Sequence, residues 1–251
     1  MRPPFLRGPV LAADTWVWAA RHGDVEVRFT GRGPIGDREA ALRAIAPSAP
    51  PLAWAKQVHS AVALPARPGA CGEGDALVTM EAGLALSVVT ADCVPVLVAS
   101  PQSLAAIHAG WRGIANGVIP AALEKLQGSP GDWTAWIGPA IGACCYEVGE
   151  DVAERVTAAS GPGVIFSGAA GKPHLDLPGA ARLQLANAGV GEVIVLPRCT
   201  RCDEERLWSY RREGKRAGRN MAFIWREPLL EDLGERDLQT WQQRSGERVG
   251  D

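Results

Sequence analysis

The feature that most constrains this chain is a crowded run of short apolar segments between residues 76 and 109. They read ALVT (76–79), LALSVVT (84–90), VPVLVAS (94–100) and LAAIHA (104–109). Each is too short for a stable helix and ends in a turn, so each reads as a strand. The connections leave no room for the helical crossovers of a doubly wound parallel sheet. The run therefore predicts an α+β fold with mixed sheets.

The flanking sequence supports this reading. VEVRFT (25–30) alternates and reads as a strand, as do LAWAKQVHS (52–60), AVALP (61–65), WTAWIG (133–138), GVIF (163–166), EVIVLP (192–197) and MAFIWR (221–226). DREAALRAIA (37–46) reads as a helix with Asp37 as its N-cap. IANGVIPAALEKLQ (114–127) and YEVGEDVAERVTAAS (146–160) are also helical in pattern, with Pro120 disturbing the first. DLPGAARLQLANAG (176–189) has Asp176 at its start, Pro178 in its first turn and Gly189 at its end. Residues 1–24 carry little pattern, and 198–219 reads as a polar, basic loop. No repeat or linker divides the chain, so 1–226 is expected to form one domain. Residues 227–251 form a charged C-terminal extension with few apolar anchors, expected to be a peripheral helix or partly disordered.

Composition narrows the function. The 251 residues are 47% hydrophobic and 22% charged, enough to bury a substantial core. A net charge of −2 offers no basic excess for binding nucleic acid. No apolar run reaches the roughly 18 residues of a membrane helix, and prolines with Asp14 interrupt the N-terminus where a signal peptide needs an apolar stretch. The expected location is the cytoplasm, with no membrane partner. Six cysteines in such a chain read as thiols rather than disulfides.

Chemistry is concentrated in three residues. His59 in KQVHS, Cys93 in TADCVP and His108 in AIHAGWRG each fall at or near a predicted strand end. Imidazole and thiolate are ligands for zinc and for copper, and three of them with one open position form a catalytic metal pattern. The same atoms allow another arrangement, with Cys93 as nucleophile and His108 as its base. Hydrogen-bonded histidines and a core thiol would use the same residue types. Asp75 and Asp92 are acid/base candidates; Asp92 joins the site only if its strand has ended before it. Trp111 is suited to core packing or to stacking on a base. Cys144 and Cys145 are adjacent, and Cys199-x-x-Cys202 is a lone CxxC pair, a pattern used for zinc or redox work.

Several ordered segments together resemble one family. They are QVHS (57–60), GDALVT (74–79), TADCVPVLVAS (90–100), AAIHAGWRGIANGVI (105–119), WIGPAIGACCYEVGEDV (136–152), LDLPGAARLQLANAGV (175–190), RCT (198–200) and SYRREGKRAGRNMAFIW (209–225). Over about residues 25–226 the chain resembles the YfiH-like family, also called the laccase-domain or multicopper polyphenol oxidase family and now described as purine nucleoside phosphorylases. The resemblance implies a four-layer α/β/β/α fold with mixed sheets, also seen in cysteine-hydrolase toxins. It implies that His59, Cys93 and His108 hold a metal, normally zinc. It implies phosphorolysis of adenosine, inosine and methylthioadenosine, and hydrolytic deamination of adenosine. Some members are assigned a peptidoglycan-editing role, which would suit a cysteine hydrolase or amidase built on Cys93 and His108.

True multicopper chemistry needs many imidazoles, and four histidines cannot supply them. A copper-binding polyphenol oxidase would have to work with a single copper at His59, Cys93 and His108. Phosphorolysis, by contrast, needs an anchored phosphate, which calls for arginine forks. The candidates are Arg38, Arg112, Arg211, Arg212, Arg216 and Arg219, with Arg38 first because its register before His59 matches the family. The chain departs from the family near Arg32, where a stretch after the T-R-x-G-G segment is missing. The expected catalytic set is Cys93, His108, Arg38 and Asp92, and the expected ligands are a purine nucleoside and phosphate.

Overall fold

Two-residue alternation along the strands builds the architecture of the computed structural model, which describes residues 7–33, 36–168 and 171–228. The strands begin with β1 (Arg7–Ala12), β2 (Thr15–His22), β3 (Val25–Thr30), β4 (Leu52–Lys56) and β5 (Ala63–Pro65). They continue with β6 (Gly69–Glu73), β7 (Ala76–Thr79), β8 (Ala85–Thr90), β9 (Val94–Ala99) and β10 (Leu104–Ala109). The last are β11 (Thr134–Ile137), β12 (Ile165–Ser167), β13 (Pro173–Leu175), β14 (Glu192–Val195) and β15 (Asn220–Arg226). The helices are α1 (Arg38–Ile45), α2 (Trp111–Ala115), α3 (Val118–Leu123), α4 (Glu150–Ser160), α5 (Leu177–Asn187) and α6 (Tyr210–Glu213).

One sheet has seven strands in the order β1-β2-β3-β15-β8-β4-β6, and a second has six in the order β14-β11-β9-β10-β7-β5. Both are mixed. β15 runs antiparallel to β3 and β8, whereas β4 runs parallel to β8 and β6. In the other sheet β9 and β10 are antiparallel, while β11 and β14 are parallel. The crowded segments at 76–109 are strands, as expected, and the fold is mixed α+β.

Alternate residues of single strands enter different cores. Ala222 and Ile224 of β15 join Leu97, Leu104 and Trp136 between the sheets. Met221, Phe223 and Trp225 of the same strand pack with Ala41 and Leu42 of α1. On the six-stranded sheet, Val96, Val98, Ala105 and Ile107 pack against Ile114, Ile119, Val156 and Leu185 of the helices. The predicted caps form: the Asp37 carboxylate accepts from the amides of Glu39 and Ala40, and Asp176 accepts from Gly179.

Several expectations differ in detail. Residues 1–24 carry an unforeseen hairpin, β1–β2. Ala13 and Asp14 turn it with φ of 46° and 57°, so the sequence lacks the glycine that usually marks such a turn. The 114–127 helix is two helices, divided at Gly117 with φ of 84°; Pro120 then sits in the first turn of α3, where no amide is needed. The 52–60 strand stops at Lys56, which leaves His59 in a turn. The helix expected over 146–160 starts only at Glu150, and the 198–219 loop contains α6. The expected nature of the 227–251 extension falls, from residue 229 onward, outside the described residues.

Trp136 is completely buried between the sheets. Trp136→Ala should cost about 3–5 kcal/mol of unfolding free energy, read as a lower denaturant midpoint at unchanged slope.

Candidate metal centre and substrate cavity

Strand parity brings Cys93 and His108 together. His108 follows Leu104 and Ala106 on the inter-sheet face of β10 and pairs with Pro95 of β9. Cys93 precedes β9 with the parity of Pro95 and Leu97. The antiparallel pairing therefore places both at one end of the inter-sheet layer. His59 arrives from the other sheet, in the turn after β4. Its Nε2 lies 3.9 Å from the Cys93 Sγ, and its ring meets the His108 ring edge-on at 5.0 Å. One ligand atom from each residue falls within 4.8 Å of the others. Gly110 is needed for this approach: a Cβ there would lie 2.9 Å from the Cys93 sulfur and 3.2 Å from His59 Cδ2.

Asp75, itself completely buried, holds the arrangement together. One carboxylate oxygen accepts from the Val58 amide (3.2 Å), the Ser60 amide (2.6 Å) and the Ser60 hydroxyl (2.7 Å). The other accepts from the His59 amide at 3.0 Å and from His108 Nδ1 at 2.8 Å. The converging amides hold His59 in the left-handed region, φ 61°, which a residue with a side chain rarely enters. Because an ionised carboxylate only accepts, Nδ1 carries a proton, so the neutral ring presents the lone pair of Nε2. The Gln57 side chain pairs with Val89 through both its amide nitrogen (2.7 Å) and its oxygen (2.8 Å), fixing the start of the turn to β8.

Charge follows from this geometry. Burial opposes the Cys93 thiolate, but the charge and hydrogen bond of His108 and the hydrogen bond from His59 outweigh it and bring the thiol down to about 6. Burial likewise opposes the His108 cation, yet Cys93 and Asp75 raise it to about 9. Asp75 also resists burial; bonds from His108 and Ser60 hold its carboxyl well below the usual range. Two imidazoles and a thiolate that ionises readily are a donor set that fits zinc, with a carboxylate behind one imidazole as metal sites favour.

The three residues line a cavity of about 780 Å³, a size suited to a small organic ligand. Trp54, Trp111, Tyr146 and Tyr210 give it aromatic walls, and Arg38, Arg112, Arg211 and Arg219 give it positive charge. The Arg38 guanidinium lies 5.3 Å from the Trp54 ring and donates to the Ala55 carbonyl at 3.3 Å. Arg112 sits over Trp111 at 4.5 Å. Trp111 lines the cavity and also packs on the helical core, the first of the two uses expected of that ring.

Two arginines from the sequence set are not among those lining the cavity. Arg212 donates to the carbonyls of Thr200, Arg201 and Leu207, so its charge ties a loop together; Arg216 also lies off the cavity. Asp92 does face the cavity, because β8 has ended at Thr90 and β9 has not begun. Its φ is 94°, and its two oxygens accept from the Thr200 hydroxyl and the Arg211 amide, each at 2.6 Å. Gln57, Trp54, Tyr146 and Tyr210 escaped the sequence reading as site residues. Gln57 was detectable only through its place beside His59; the rings carry no distinguishing spacing.

Known proteins resemble this chain in sequence and in fold. Residues 36–227 match the model of the multi-copper polyphenol oxidoreductase laccase family. A Deinococcus radiodurans protein named purine nucleoside phosphorylase is 37% identical over 237 residues, spanning 88% of this chain and 92% of its own. The Escherichia coli purine nucleoside phosphorylase YfiH is 38% identical over 177 residues, spanning 68% and 72% respectively. The crystal structure of Neisseria meningitidis NMB0706 superposes with a TM-score of 0.77 at 29% identity, covering 84% of this chain and 99% of that one. Geobacillus stearothermophilus YlmD gives 0.74 at 28% identity, covering 90% and 100%. The chain belongs to this laccase-like, YfiH-like family.

Proposed function

We propose that this protein is a zinc-dependent purine nucleoside enzyme of the cytoplasm. It cleaves adenosine, inosine and methylthioadenosine with phosphate and deaminates adenosine with water. The observation that carries the reading is a His-Cys-His donor set in a cavity with aromatic walls and four arginines. The names of the relatives supply the substrate class.

His59, Cys93 and His108 would hold the metal. Zinc bound there supplies a Lewis acid with one open position, the form that activates water or polarises a substrate atom. The remaining work falls to the chain. Asp75 holds a proton on His108 Nδ1, so Nε2 is the nitrogen that would bind a metal once its own proton is displaced. Trp54, Trp111 and Tyr146 offer faces for a purine ring and exclude water around it. Breaking the sugar–base bond builds positive charge on the sugar, and phosphate must be held on one face of it. Arg38 is the leading phosphate ligand, since it lines the cavity from α1 and, among the described residues, no carboxylate pairs with it. Asp92, with both oxygens engaged, positions the Arg211 backbone.

A second reading has an observation of its own. The mutual shifts of Cys93 and His108 describe a thiolate–imidazolium pair, the activated state of a cysteine hydrolase or amidase. Chelation separates the two. The zinc enzyme loses turnover on chelation and regains it with zinc, whereas a cysteine hydrolase survives chelation and is abolished by thiol alkylation.

Cys93→Ala should lose bound metal and nucleoside turnover together while remaining folded. Activity should fall at least about a hundredfold, since even partners outside the ligand shell cost about 10–100-fold. Retained metal with lost activity would make Cys93 a nucleophile. Arg38→Ala should raise the KM for phosphate about 10–100-fold, the value of a hydrogen bond to a charged group. Adenosine deamination, which consumes no phosphate, should change much less. Equal loss of both activities would make Arg38 a nucleoside-positioning or structural residue.

A further inference from the structure

Four of the six cysteines meet away from the cavity. Cys144 and Cys145 lie in the segment after β11, and Cys199 and Cys202 in the segment after β14. A parallel bridge between Ala140 and Cys199 joins the two segments. All four sulfurs fall within 4.8 Å of one another. The Cys202 sulfur is 3.6 Å from that of Cys144 and 3.3 Å from that of Cys145. A disulfide would need about 2.05 Å. Four thiolates about 2.3 Å from one zinc lie about 3.8 Å apart at the corners of a tetrahedron, close to the spacing found.

Cys145 and Cys199 pack partly against the helical core, and each has a polar partner directed at its sulfur. Cys144 and Cys202 are exposed, so the cluster is open to ions from solvent. The Gly142 amide donates to the Cys199 sulfur at 3.4 Å, and the Arg201 guanidinium to the Cys145 sulfur at 3.5 Å. An amide and a cation directed at sulfur are the outer partners that stabilise a metal–thiolate centre and offset its negative charge.

We propose that Cys144, Cys145, Cys199 and Cys202 bind a second zinc ion in an all-thiolate, structural site. Four protein ligands leave no open position, so this site takes no part in turnover chemistry. Its effect is to clamp two loops that reach the cavity. Tyr146, next to Cys145, lines the cavity, and the Glu147 carbonyl accepts from Arg211. Thr200, next to Cys199, anchors Asp92.

Cobalt(II) substitution tests the site without relying on nucleoside turnover. The full-length protein should bind two cobalt ions per chain. One should give intense thiolate-to-metal charge transfer and tetrahedral ligand-field bands that persist in Cys93→Ala, where the cavity site is broken. Cys199→Ser with Cys202→Ser should abolish those bands and remove one metal equivalent. Should that double variant fail to fold, counting alkylated cysteines in the unmutated protein decides the matter. Zinc should protect these four thiols until a chelator is added. Equal alkylation with and without zinc overturns the proposal. So does a disulfide among the four in protein purified without reductant, or metal content unchanged by the double variant.

Discussion

The site depends on one buried carboxylate. Asp75 receives three backbone amides and a hydroxyl from the 58–60 turn, and a ring proton from His108. A buried carboxylate without partners would be costly, and here five donors compensate it. The compensation also does structural work. It bends His59 into a conformation it would otherwise avoid, and it selects the His108 tautomer that can bind a metal. Two candidate ligands from different sheets are thus set by one side chain that does not line the cavity.

The sheets supply the rest of the alignment. Antiparallel register between β9 and β10 puts the residue before one strand beside the penultimate residue of the other, so Cys93 meets His108 without any local sequence relation. The absence of a side chain at Gly110 leaves room for the sulfur and the His59 ring. The cavity walls come from distant segments, which is why its aromatic and basic lining spans residues 38 to 219.

Much of this was legible in the sequence, for physical reasons. The apolar runs at 76–109 showed strands because their period and length admit little else. The three candidate ligands stood out because histidine and cysteine are few here and were placed near strand ends. What was not legible depends on tertiary contact. The β1–β2 hairpin turns on Ala13 and Asp14, whose conformation no residue type announces. Arg212 resembles a phosphate ligand in sequence, yet its guanidinium is spent on carbonyls. Asp75 looked like one acid/base candidate of two, and only the fold reveals it as the residue behind His59 and His108. The four-cysteine cluster joins a CC pair to a CxxC pair across more than fifty residues, so neither half alone identifies it.

The central claim, that the Asp75 carboxylate organises the metal centre, is tested most directly by the zinc affinity of Asp75→Asn. The substituted amide cannot serve both partners. With its NH2 toward His108 it moves the ring proton to Nε2, and with its oxygen there it presents hydrogens to the 58–60 amides. Competition with a chelator in folded protein should then show zinc at the His59, Cys93 and His108 site held about 10–100-fold more weakly. Zinc affinity equal to that of the unmutated protein, in a variant with an intact fold, would contradict the account.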